Sequence, residues 1–146
     1  MLDTIYSQIG AAVIVLVCGF ALWKGGRAEQ WAGGILIVAW LGTILIQDQT
    51  DSVGFHPLDL VVDASVLAAL GTIAWRSDRN WPIWASACQA INLATHLAFA
   101  LDLRIPETAY YSALALASYG VLVALAVGTF LAWRESEALK PPAARL

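Results

Sequence analysis

Five apolar stretches separated by short polar segments decide what this chain can fold into. They cover residues 5–24, 28–47, 57–76, 81–101 and 108–133. Each reaches or approaches the ~20 residues that carry a helix across ~30 Å of hydrocarbon. Backbone polar groups in lipid must be satisfied internally, which leaves helices or closed barrels. Barrel strands would need ~10-residue stretches of alternating hydrophobicity, and the sequence has none. The expected fold is all-α: an integral membrane bundle of five transmembrane helices. It forms a single domain over 1–146, with a short cytoplasmic tail at 135–146. The composition fits, at 60% hydrophobic and 13% charged, against about 25% charged in a soluble domain.

Charge gives the spans a direction. Threaded alternately, they put Lys24, Arg27, Arg76, Arg79, Arg134, Lys140 and Arg145 on one face and Arg104 alone on the other. Loop Lys and Arg collect on the cytoplasmic side, so the N-terminus is expected outside and the C-terminus inside. The opening Met1-Leu2-Asp3-Thr4 has no side-chain cation, and the positives follow the first span. A cleaved signal peptide has the reverse order, so this span is expected to be retained. Trp23-Lys24, Trp75-Arg76 and Trp133-Arg134 each set an indole beside a cation, as interfacial anchors do. The likeness of the first two inner loops fits either parallel hairpin repeats or anchor chemistry alone. No basic, aromatic-interleaved surface is present, so a nucleic-acid partner is not expected.

The third and fourth spans carry groups that lipid does not tolerate unpaired. Asp59 and Asp63 are four apart on one helix face; Gln89, Asn92 and His96 share another. Asp63 lies roughly 9 Å into its span and His96 ~7 Å below the outer end of the next. Equal depth on consecutive antiparallel helices predicts that the two face each other. Asn92 then lies below, Thr95 nearby, and Tyr110 and Tyr111 close the same space from the fifth span. Such a face serves as glue between helices, or as a ligand or proton pocket open to the outside. A metal bound by His56, Asp59, Asp63 and His96 would have suitable N and O donors, but no ligand motif is present. A b-type haem would need both of the chain's histidines, His56 and His96, across one macrocycle. His56 at the interface suits this poorly, and no cofactor is expected.

The fifth span carries a strip of small residues: Ala113, Ala117, Gly120, Ala124 and Gly128. Their spacing of three and four lets another helix approach closely. That helix belongs either to this chain or to a membrane-protein partner or second copy. Leu122 is expected on the opposite, lipid-facing side. Cys18 and Cys88 lie at similar depth and are read as small apolar residues. The sequence contains no nucleophile elbow and no phosphate-binding glycine loop.

The run Trp75-Arg76-Ser77-Asp78-Arg79-Asn80-Trp81-Pro82-Ile83-Trp84, continued to Gln89 and Thr95-His96, resembles small multi-span inner-membrane proteins of alphaproteobacteria. The resemblance implies a multi-pass protein of a bacterial cytoplasmic membrane and brings no activity with it. The leading expectation is non-enzymatic: a small integral subunit or accessory protein packed against a larger membrane assembly. The alternative is a small transporter or ligand-binding protein that uses the Asp63–His96 pocket.

Overall fold

The structure, a computed structural model, describes residues 5–48, 57–101 and 104–139. These form five α-helices: α1 (Ile5–Lys24), α2 (Arg27–Asp48), α3 (Pro57–Arg76), α4 (Trp81–Leu101) and α5 (Glu107–Ala138). No strand occurs among the described residues. The helix limits follow local chemistry. The Gly25 amide bonds to the Ala21 carbonyl at 3.0 Å and ends α1. A Cβ at Gly25 would collide with that carbonyl and with the Glu29 side chain, so the two-residue link to α2 needs glycine there. Pro82 sits in the first turn of α4, where a missing N–H breaks no intrahelical bond. The Pro106 carbonyl accepts the Ala109 and Tyr110 amides at 3.0 and 3.1 Å and starts α5. That helix continues past Trp133-Arg134 to Ala138.

The helices form a ring. Each packs against its neighbours in sequence, α5 closes onto α1, and α5 also touches α2. The links at 25–26 and 77–80 are too short for anything but antiparallel neighbours. The core joins Cys18 and Ala21 of α1, Ala32 of α2, Val66 and Leu70 of α3, Ala85 of α4 and Leu125 of α5. The outer surface is also apolar, with Leu16, Val38, Val61, Ile91, Leu116 and Val123 exposed. Three helices are long and apolar enough to cross a membrane: α2 over Arg27–Leu45, α3, and α5. By length and composition these three are candidate membrane spans and point to a membrane protein. Of the other two, α1 is apolar over its described stretch Gln8–Lys24, and α4 carries Gln89, Asn92, Thr95 and His96.

The small strip of α5 meets α4 of the same chain. A Cβ at Gly120 would lie 2.6 Å from the Cys88 sulfur, and one at Gly128 would run into the Trp81 indole. Ala117 is buried and Ala124 packs on the core. Ala113 is half-buried. Leu122 does not face lipid: it is 7% exposed and belongs to the core. The reason is that α5 is gripped by α4, α1 and α2 together, so it buries far more than one narrow stripe.

Candidate functional site

All five helices line one cavity of about 360 Å³, which opens to the surface beside the exposed Tyr111 and Ser118. One wall is apolar, with Ile14, Leu36, Val62, Val66 and Leu114. The other carries Asp59 and Asp63 from α3, Gln89, Asn92 and His96 from α4, and Tyr110, Tyr111 and Ser118 from α5. The helical spacing of α4 explains its share. Gln89, Asn92 and His96 project from one face, and the ring turns that face inward, where all three are buried.

The polar groups form a connected chain. His96 Nε2 lies 2.9 Å from Asp63 Oδ2. The Gln89 amide donates to the other carboxylate oxygen, Asp63 Oδ1, at 2.8 Å. His96 Nδ1 is 2.7 Å from the Tyr110 hydroxyl. A carboxylate only accepts, so it fixes a proton on Nε2. In the neutral ring Nδ1 then accepts from Tyr110; in the imidazolium both nitrogens donate. Tyr110 is braced by stacking on Phe99, with ring centroids 4.3 Å apart, and by an edge contact with Tyr111 at 5.1 Å. Deeper in, Asn92 donates to Ser118 Oγ at 3.2 Å and makes a longer contact, 3.4 Å, to Gln89 Oε1. Its carbonyl oxygen has no hydrogen-bond partner among the described residues. The residue is only 4% exposed, and a buried acceptor left alone costs about 1–3 kcal/mol.

Of the residues the sequence points to, Asp59, Asp63, Gln89, Asn92, His96, Tyr110 and Tyr111 share this cavity. Thr95 does not line it: its hydroxyl bonds to the Ile91 carbonyl of its own helix at 2.8 Å. Three-and-four spacing from Asn92 reaches His96 and Thr95 alike, and the ring turns His96 inward. Ser118, Thr43 and Trp40 line the cavity as well. His56, which a four-ligand metal site or a bis-histidine haem needs, lies outside the described residues. No three His, Cys, Asp or Glu side chains cluster for a metal among the described residues.

A second buried polar cluster lies at the opposite end of α4, and sequence reasoning missed it. Glu29, in the first turn of α2, is 1% exposed. It accepts from the Trp81 indole nitrogen at 2.8 Å and stands 3.7 Å from Arg79 Nε. Arg79 reaches on to Glu135 of α5 at 2.7 Å. Trp81 is thus not an interfacial anchor: it is 6% exposed, whereas Trp75 is 91% exposed. A signal was present in Gly25-Gly26, because two residues without side chains leave room for Glu29 to turn inward.

Neither a family model, nor a curated protein, nor a solved structure matches this chain.

Proposed function

We propose that this chain is a compact solute-binding or transport protein of a bacterial cytoplasmic membrane. It spans the bilayer five times, N-terminus outside and C-terminus inside, and binds a small polar solute in this cavity. The observation that carries this reading is the joined set of Asp63, His96 and Tyr110 in the wall of a cavity whose other side is apolar. A solute's polar groups would meet the carboxylate, imidazole and phenol. Cavities of ~300–1,000 Å³ with an apolar wall and a few convergent polar groups suit small ligands. Intramembrane ionisable groups commonly mark such pathways. Orientation is supported by the distribution of Lys and Arg, and the bacterial assignment by the resemblance at 75–96.

An accessory subunit would need an outward contact face. The α5 strip does not supply one, because α4 occupies it. The two functions separate on purification in mild detergent followed by native mass spectrometry. The solute-binding function predicts a small-molecule adduct that is lost in Asn92→Leu and His96→Leu variants that still melt cooperatively. A bare chain holding a stoichiometric partner polypeptide would overturn it in favour of the subunit.

A further inference from the structure

A second space lies outside the ring, between α2 and α3. It is a surface groove of about 1090 Å³. Its length follows α2 from Arg27 to Gly42, ~22 Å at the helical rise. Two glycines of α2 face into it without a packing neighbour: a Cβ at Gly34 or Gly42 would find nothing within 4 Å. Gly33, one position away, behaves differently, since a Cβ there would press on Ala21 at 3.2 Å. So Gly33 serves helix packing, while Gly34 and Gly42 keep a channel open on the lipid side.

The polarity of the groove is graded. Arg27, Gln30 and Trp31 line one end, and the remainder is aliphatic apart from Ser65. The Ser65 hydroxyl is already bonded to the Val61 carbonyl at 2.7 Å, and the Gln30 amide gives one N–H to the Leu22 carbonyl at 3.3 Å and keeps the other. An occupant therefore meets a cation, an amide and an indole at one end and a long apolar trough beyond. That is the complement of an acyl lipid with an anionic headgroup. Basic pockets between transmembrane helices on the cytoplasmic side bind such headgroups. We infer that the groove holds an acyl chain of an anionic phospholipid, with its phosphate at Arg27 and Gln30. The groove shares Ala39, Val62 and Val66 with the cavity proposed above, but its headgroup end at Arg27, Gln30 and Trp31 lies apart from it. Only its assignment to the inner leaflet rests on the proposed orientation.

The purified chain can be tested in detergent with added dioleoyl phosphatidylglycerol or dioleoyl phosphatidylcholine, counting bound lipid by native mass spectrometry. The native chain should retain one phospholipid and prefer the anionic one about fivefold, as one basic residue at an anionic surface allows. Gly42→Leu should lose that lipid, and Gly34→Leu provides a second blocking variant. Both side chains enter open space, so both variants should keep the native melting midpoint. Arg27→Gln should keep a lipid but bind the two headgroups equally. Unchanged retention in both leucine variants would overturn the site. So would a native chain that runs as a dimer and becomes monomeric in Gly42→Leu, which would give the groove to a second copy.

Discussion

The Trp81 indole nitrogen donates to Glu29 Oε1 across 2.8 Å, joining residues 52 apart in the chain. The bond ties the start of α2 to the start of α4, and the same indole fills the space left by Gly128 on α5. Three helices therefore meet at one side chain. Glu29→Leu should destabilise the bundle by about 1–3 kcal/mol, because a buried indole N–H and part of the Arg79 charge lose their acceptor. Glu29→Gln keeps an acceptor and should cost less. Gly128→Ala should be as damaging as Glu29→Leu, since overpacking against a ring costs about 1–3 kcal/mol. Thermal midpoints in detergent rank the three. Equal stability of Glu29→Leu and the native chain would mean that Glu29 is not held as described.

At the other end of α4, Asp63 accepts from two side chains at once, His96 and Gln89. Asp63→Leu removes both acceptors and should cost about 1–3 kcal/mol for each donor left buried. Asp63→Asn retains one acceptor oxygen and so serves His96 or Gln89 but not both; it should fall between Leu and the native residue. Tyr110→Phe deletes the hydroxyl facing His96 Nδ1 while keeping the stack on Phe99. It should lower the midpoint least, by the equivalent of about 1 kcal/mol. If Asn and Leu at position 63 melt alike, the carboxylate is not the hub of this network.

How much of this was legible beforehand depended on whether one helix or several had to be known. The limits of α3 and α4, and the meeting of Asp63 with His96, followed from span length and depth alone. The exclusion of Thr95 did not, because two residues on nearly the same face are separated only by how far the ring rotates α4. The burial of Leu122 was missed for a related reason. A strip of small residues marks one contact face, while α5 touches three helices and buries more of its circumference. Glu29 was hardest to see. A carboxylate in a first helical turn normally faces water and favours the helix dipole, and only its long-range partner Trp81 reveals its burial.

Close packing of α4 on α5 makes the second face of α5 as sensitive as the first. Gly120→Leu must displace Cys88 and should destabilise by about 1–3 kcal/mol through overpacking. Leu122→Ala opens a space in the core and should cost about 2–5 kcal/mol. Leu116 is exposed, so Leu116→Ala should change the unfolding midpoint little. Denaturation of the three variants in mixed micelles gives the comparison. A larger loss for Leu116→Ala than for Leu122→Ala would show that α5 is rotated relative to this packing.

Five spans with the N-terminus outside make the loops at 49–56 and 77–80 opposite in exposure. Seven of the eight Lys and Arg favour this arrangement, with Arg104 the one on the far side. The test is labelling of single cysteines in a chain whose Cys18 and Cys88, both free thiols, have been replaced. Leu125→Cys, fully buried in the core, is expected to label slowly under all conditions and serves as the buried reference. A membrane-impermeant maleimide should modify Asp51→Cys on intact spheroplasts. Asp78→Cys, in the exposed link before α4, should react only after permeabilisation. Loop Lys and Arg act on orientation during insertion, so replacing Arg76 and Arg79 together with Gln should weaken the asymmetry and raise outside labelling at position 78. Equal labelling of positions 51 and 78 from outside would require an even number of crossings between them and would rule out the five-span arrangement.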